Sequence, residues 1–165
     1  MAKIQFKAGD EYALKLSRLE IGSGVIANRA IYEAAGIVAD AIREELDRLP
    51  TVTEFHNVQA HRVGGKSGLT IRQKKGLKKA LGITPLGMDK KGFYNRKIGF
   101  DGYNYVVTRT YPKGQPNQMI ARSVESGSSC MEKMPFVRPA VNKTKRKAVE
   151  KMRQVIDEEL GKIMG

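Results

Sequence analysis

The chain has 165 residues, enough for one domain with a hydrophobic core, and its 41% apolar residues argue against disorder. A formal net charge of +13 favours acidic partners such as nucleic acid, an anionic membrane or an acidic protein surface. The single cysteine excludes an intramolecular disulfide, and neither a signal peptide nor a long apolar run is visible. We therefore expect a soluble protein made in the cytosol, with residues 1–165 forming one domain.

The first third of the chain predicts a strand and two helices. Residues 3–7 alternate polar and apolar side chains, as in a short strand, and residues 10–19 form a short helix that Asp10 can cap. The Gly-Ser-Gly triplet at 22–24 is expected to interrupt that helix. A long amphipathic helix follows over residues 25–49, ended by Pro50. Its apolar stripe repeats at steps of three and four residues and contains Ile26, Ala30, Ala34, Ile37, Val38, Ala41, Ile42 and Leu46.

The middle of the chain predicts loop, a basic helix and a hairpin. Residues 51–67 are expected to be extended or loop, and residues 69–81 to form a short, strongly basic helix. Residues 93–100 and 103–111 have the pattern of strands, joined at Asp101-Gly102 by a hairpin turn. The apolar anchors expected in the first of these segments are Val52, Phe55, Val58 and Val63.

The last third predicts a short helix over residues 117–125, ending near Gly127, and a second long helix that opens at Arg138-Pro139. The fold class that follows is α+β, a small antiparallel sheet packed against two long amphipathic helices, plus short helices. The sheet is expected to supply the surface that each long helix needs. The apolar face of the last helix contains Ala148, Val149, Met152, Val155, Ile156, Leu160 and Ile163.

Groups that could perform catalysis or hold a metal are sparse. The two histidines, His56 and His61, belong to no metal-spaced cluster, and one cysteine cannot anchor a zinc site. Cys130 could pair with either histidine as nucleophile and base, although a loop cysteine and surface histidines are the favoured interpretation. The Gly-Gly-Lys-Ser-Gly segment at 64–68 lacks the leading glycine of a phosphate loop. We predict no catalytic residue, no metal, no cofactor and no enzymatic activity.

Positive charge is concentrated in the middle of the chain. Residues 51–100 hold eleven lysines and arginines and two acidic residues, which gives +9 of the total +13. We describe residues 62–82 as a basic loop–helix excursion within the single domain. This segment could neutralise nucleic-acid phosphates, dock against acidic subunits of an assembly, or form a solvated surface without a partner. Docking against acidic subunits is the favoured interpretation. Its predicted partner-binding residues are Arg72, Lys74, Lys75, Lys78 and Lys79.

Four tyrosines accompany this basic region on the predicted strands. Their rings could stack on bases, although cross-strand packing is favoured at that spacing. No sequence signature of a base-specific DNA- or RNA-binding fold is visible. The tyrosines are Tyr94, Tyr103, Tyr105 and Tyr111.

A motif precedes the last helix. Residues 124–128 are Val-Glu-Ser-Gly-Ser, and residues 135–140 are Pro-Phe-Val-Arg-Pro-Ala. This pattern resembles the tail-completion (minor tail component, or neck) family of long-tailed phages and prophages. Pro139 suits a first helical turn, and Arg138 can reach back to a carboxylate such as Glu125, so we interpret the motif as structural. Its residues are Glu125, Gly127, Pro135, Phe136, Arg138 and Pro139.

The resemblance spans nearly the whole chain and departs from the family at the basic insertion, residues 72–79, and at the loop 112–116. It implies a virion structural protein that completes the tail or joins it to the head at the neck, by ring assembly and protein docking. It favours a homo-hexameric ring that contacts other phage neck and tail proteins, located in the neck or upper tail after synthesis in the host cytoplasm. No membrane contact is expected, and non-specific contact with genomic DNA stays open. The alternatives are a basic nucleic-acid-binding accessory protein and an assembly chaperone absent from the mature virion.

Overall fold

The computed structural model describes the backbone of residues 10–165 and the side chains from residue 17 onward. The strand predicted at 3–7 lies outside the described residues. The α+β fold class is confirmed. In chain order the elements are α1 Asp10–Arg48, α2 Glu54–Arg62, α3 Ile71–Ala80, β1 Leu81–Ile83, β2 Gly87–Met88, β3 Tyr94–Asn95, β4 Ile98–Phe100, α4 Asn117–Ser126 and α5 Val137–Met164.

Helix α1 is continuous over 39 residues, so the break predicted at residues 22–24 is wrong. The two glycines of the triplet lie against other elements. A Cβ at Gly22 would lie 3.9 Å from Ile163 of α5, and one at Gly24 would lie 3.2 Å from the Tyr94 hydroxyl. The helix tolerates the propensity cost of glycine, about 1 kcal/mol per residue. The close approach of Tyr94 favours glycine at position 24, whereas a methyl group at position 22 would make only ordinary contact. The remainder of α1 confirms the predicted long helix, which ends one residue before Leu49.

Helices α1 and α5 form an antiparallel pair. Arg29 pairs with Glu159, Lys151 with Glu33 at 3.3 Å and Lys143 with Glu45 at 3.8 Å, so numbers rise along α1 as they fall along α5. This helix–helix contact is the most extensive in the fold. The expectation that the sheet supplies the surface for both helices is therefore corrected: each long helix mainly covers the other.

Residues 51–67 contain a helix, α2, that the sequence did not predict. Thr53 caps it, since its hydroxyl accepts a hydrogen bond from the His56 N–H at 3.1 Å. The side chain of Asn57 holds the helix to the chain by bonding the N–H and the carbonyl of Gly68, at 2.9 and 3.0 Å. Because α2 buries no residue, its apolar pattern gave no helical signal. Of the predicted anchors, Val52 is half-buried, whereas Phe55, Val58 and Val63 are exposed.

The strand pairing differs from the predicted hairpin. β4 pairs antiparallel with β1, with Leu81 opposite Phe100, and β2 pairs with β3. The predicted strand at 103–111 is wrong, because this segment is irregular and makes a single bridge, from Tyr103 to Pro116. The side-chain amide of buried Asn104 donates to the carbonyl of Gln73 at 3.3 Å and to Asn117 at 3.2 Å. These buried hydrogen bonds draw the segment onto α3 and away from β4.

The hydrophobic core lies where α1, α3, α4, α5 and β1 meet. Phe136 is fully buried and meets Phe100 edge to face, with ring centroids 5.9 Å apart. Leu77 brings the basic helix α3 into the same cluster. The helices predicted at 69–81 and 117–125 are confirmed within two residues at each end, and α5 begins one residue before Arg138.

Candidate functional site

Helix α3 carries the five cations predicted to bind partners. A capping box starts it: the Thr70 hydroxyl accepts from the Gln73 N–H at 3.2 Å, and the Gln73 side chain accepts from the Thr70 N–H at 3.0 Å. Gln73, Gly76 and Leu77 are buried on the face that meets the core. The cations are therefore distributed on the two flanks of this buried face.

One flank, which we call the inner stripe, consists of Lys74 and Lys78. The ammonium group of Lys74 donates to the carbonyls of Asp47 and Leu49, at 2.7 and 2.9 Å. Lys78 pairs with the carboxylate of Asp47 at 2.7 Å. Both lysines thus lie at the C-terminus of α1, where a helix presents unpaired carbonyls and partial negative charge. Two of the five predicted partner-binding residues are used inside the chain.

The other flank, the outer stripe, consists of Arg72, Lys75 and Lys79, at positions i, i+3 and i+7 of α3. Arg72 lies 3.4 Å from the carboxylate of Glu54, and both side chains are largely exposed. Lys75 and Lys79 are exposed, and their side chains make no hydrogen bond or ion pair with any residue between 17 and 165. Within the described residues, Lys75 and Lys79 are therefore the cations of the predicted site that are free to meet a partner.

Two tyrosines stand beside the outer stripe. Tyr103 is 67% exposed and Tyr105 is 75% exposed, whereas Asn104 between them is 2% exposed. Both tyrosines line a groove of about 310 Å³ together with Lys79. The favoured prediction of cross-strand packing is wrong for these two residues, because the strand that it assumed does not form.

The close fit of α3 and this segment depends on glycine. A Cβ at Gly76 would overlap the side-chain amide of Asn104, so that side chain lies as close to the backbone of α3 as only glycine allows. The other tyrosines have internal contacts: Tyr111 donates its hydroxyl to the sulfur of Met119 at 3.3 Å, and Tyr94 lies against Gly24. The tyrosine–lysine groove was missed by sequence reasoning, although the alternation Tyr-Asn-Tyr was visible.

The motif at 124–140 forms a joint between α4 and α5. The carboxylate of Glu125 accepts hydrogen bonds from the backbone N–H groups of Phe136, Val137 and Arg138, at 2.7, 2.8 and 3.0 Å. Helix α5 has no side-chain cap from its own N-cap residue, Phe136, so Glu125 supplies the missing acceptor and a favourable negative charge. The predicted contact was with the Arg138 side chain, and the observed contact is with its backbone.

The remaining motif residues shape the same joint. Gly127 has a φ of +73°, and a Cβ there would lie 2.9 Å from that of Lys133, so a side chain would be strained and crowded. Pro139 lies in the first turn of α5, where a missing N–H costs least. Pro135 is exposed and precedes buried Phe136. The arrangement can orient two helices, and it presents no reacting group.

The histidines and the cysteine make limited contacts. His61 Nε2 lies 3.0 Å from the Ser67 hydroxyl, and both residues line a cavity of about 450 Å³ together with Cys130. Between residues 17 and 165 there is no hydrogen bond between Cys130 and His61, and His56 does not line this cavity. Within the same residues no group of three or more His, Cys, Asp or Glu side chains could hold a metal ion.

The glycine-rich segment 64–68 has engaged N–H groups. Gly65 donates to the carbonyl of Ala60 at 2.7 Å, and Ser67 donates to that of Cys130 at 2.8 Å. The Gly68 N–H binds Asn57, as described above. A phosphate loop needs free N–H groups that converge on the anion, and these three are directed to acceptors in the protein. The segment is a structural turn.

Comparisons with known proteins gave no relative: no family model, no curated protein and no solved structure matches the chain. No helix within residues 10–165 has both the length and the hydropathy needed to cross a bilayer. The resemblance to tail-completion proteins therefore stays an inference from the residues of the motif.

Proposed function

We propose that the protein is a structural component of a tailed-phage virion, which completes the tail or joins it to the head at the neck. It acts by assembling into a ring and docking to neighbouring neck and tail proteins. The observation that carries the proposal is the joint made by Glu125. The first half of the motif supplies the carboxylate, and the second half supplies the three N–H groups that it binds. The two segments that resemble the family thus contact each other in one structural joint. This supports an architecture shared with the family over a chance similarity of the two short segments.

The surface of the isolated chain supports a role within an assembly. Ile21 is 84% exposed and Val25 is 71% exposed, one turn apart on α1. The hairpin formed by β2 and β3 lies alongside this part of α1, since Tyr94 reaches Gly24, and it exposes Met88 and Phe93. Several exposed apolar side chains in one region of the surface are typical of a surface that another protein covers. We name Ile21, Val25, Met88 and Phe93 the apolar patch.

Two measurements test the virion role. Mass spectrometry of purified particles should detect the chain, and deletion of its gene should yield unjoined or incomplete heads and tails. An assembly chaperone would be needed for assembly but absent from the particles. Normal tailed particles after deletion, together with a purified protein that stays monomeric, would contradict the proposal.

A matched pair of variants tests the ring. The double variant Ile21→Asp with Val25→Asp should abolish higher oligomers in light scattering, because it places two carboxylates in the apolar patch. Val63→Asp is the control, since Val63 is also strongly exposed but lies at the end of α2. Equal oligomerisation of both variants would remove the apolar patch from the proposal.

A further inference from the structure

The free cations of the outer stripe are spaced for a charged polymer. Lys75 and Lys79 are four residues apart on α3, about 6 Å along the helix axis. That spacing is comparable to the distance between successive phosphates on one nucleic-acid strand. Neither lysine has an acidic partner among residues 17–165, so their positive potential is not neutralised within the described structure.

The adjacent tyrosines offer flat apolar faces to a ligand. Tyr103 and Tyr105 are two residues apart, with the intervening Asn104 turned inward, and both line the groove that Lys79 borders. Exposed aromatic rings beside a basic track are the means by which proteins hold unpaired bases. Among the described residues, Asp101 is the one acidic residue that lines the groove, and one of its carboxylate oxygens accepts a hydrogen bond from the Gly102 N–H at 2.7 Å.

We propose that Lys75, Lys79, Tyr103 and Tyr105 form a binding surface for single-stranded nucleic acid, with the lysines on phosphates and the tyrosines stacked on bases. An acidic protein would use the lysines but has no general need for two rings in one groove. Duplex DNA would use the lysines, yet its bases are already stacked within the helix. The single strand is the polyanion that uses both halves of the surface. This inference is independent of the virion role.

The surface is held in place before a ligand arrives. The capping box at Thr70 fixes the start of α3, and the inner stripe ties α3 to the end of α1. Asn104 fixes the segment between the tyrosines through its bonds to Gln73 and Asn117. A rigid site loses little conformational entropy on binding, which favours affinity from a small contact area.

The charge half is tested by fluorescence anisotropy with a labelled oligothymidylate of about 16 nucleotides, the upper site size of a small single-strand-binding fold. Lys75→Gln with Lys79→Gln should weaken binding and lower the slope of log K against log salt by about 1.4, at 0.7 per phosphate contact. The control is Lys145→Gln with Lys147→Gln, which removes the same charge from exposed positions on α5 and should leave the slope unchanged. Equal effects of the two pairs would overturn the proposal.

The aromatic half is tested at constant salt. Tyr103→Ala and Tyr105→Ala should each weaken binding about 5-fold or more without changing the salt slope, whereas Tyr103→Phe and Tyr105→Phe should bind as the parent does. The phenylalanine variants keep the test valid if an alanine variant fails to fold. Retained affinity in folded alanine variants would overturn the proposal. So would a blunt duplex of the same length, or polyglutamate, that competes as well as the single strand.

Discussion

The two ends of the α1–α5 pair are built differently. At the core end, residues 38–48 of α1 meet residues 137–148 of α5, and α3, α4 and β1 cover them. Both helix termini there are capped from other elements, by Lys74 and by Glu125. At the distal end, residues 17–33 meet residues 151–164 through ion pairs, beside exposed apolar side chains.

The difference shows which end of the helix pair is stabilised mainly by contacts within the chain. Buried contacts and caps carry the core end, and each is worth about 1 kcal/mol or more. The distal end buries Ile26, Ala30 and Val155, which among the described residues lack the cover that α3, α4 and β1 give the core end. Its ion pairs lie at the surface, where such pairs are worth little and weaken with salt. The end with less internal support is also the end with the apolar patch, as expected for a surface that is completed by another subunit.

The largest effect is expected at the Glu125 joint. Glu125→Ala should lower the free energy of unfolding by about 2–3 kcal/mol, because three N–H groups and the helix terminus lose their acceptor. Glu125→Gln should cost less, since the amide oxygen still accepts but carries no charge. Urea unfolding measures both. An alanine variant as stable as the parent would show that the core end does not depend on this cap.

Two helical glycines are expected to change the stability of the protein in opposite directions when each is replaced by alanine. Gly76→Ala should destabilise by about 2 kcal/mol, because its methyl group would overlap Asn104 at the core end. Gly36→Ala in α1 meets no atom within 4 Å and should stabilise by about 0.5–1 kcal/mol through helix propensity. Thermal unfolding followed by circular dichroism distinguishes them. Two changes of the same sign would contradict the close contact at Gly76.

A smaller effect is expected from the inner stripe. Lys74→Gln should cost about 1 kcal/mol, since the carbonyls at the end of α1 lose a charged donor. Lys75→Gln is the matched control, one position along α3 and without a partner among residues 17–165, and it should leave the free energy of unfolding nearly unchanged. Equal losses in the two variants would mean that the free energy of unfolding depends on the total charge of α3 and not on the capping contacts of Lys74.

The smallest effect concerns pH at the distal end. Hydrogen bonds from Arg29 and then Lys151 lower the pKa of Glu33, and a hydrogen bond from Lys162 is the main cause that lowers the pKa of Glu159. Because the folded pKa lies below the unfolded one, this stability is present above the unfolded pKa and is lost as pH falls through the folded value. The partner, Arg29, has its pKa raised, chiefly by its hydrogen bond to Glu33.

Replacing both carboxylates tests that dependence. Glu33→Gln with Glu159→Gln should flatten the acid-side decline in unfolding midpoint between about pH 5 and 3, and high salt should reduce the difference from the parent. Glu150→Gln is the control, because Glu150 is exposed on α5 and makes no ion pair within residues 17–165. If the control variant flattens the acid-side decline equally, the decline is caused by the net charge of the protein and not by these two ion-paired carboxylates.

Elements with a strong apolar period were predictable, and elements held by polar contacts were not. The end of α1 and the start of α5 were predicted within one residue, whereas the start of the long helix was missed because the Gly-Ser-Gly triplet predicts a break. Helix α2 is held by hydrogen bonds of Thr53 and Asn57, and the segment after β4 is held by those of Asn104. Because these contacts are polar, neither segment has an apolar periodicity from which its structure could be predicted. The candidate site followed the same rule: the cations were found, but their division into stripes required knowing where α1 ends.

Because Lys74 grips the last carbonyls of α1, the basic helix is not a loose arm. A partner bound to the outer stripe would therefore be held in a fixed position relative to α1, the longest helix of the described structure. Whatever ligand the outer stripe meets, the direction in which its cations point is set by the long helix and not by α3 alone.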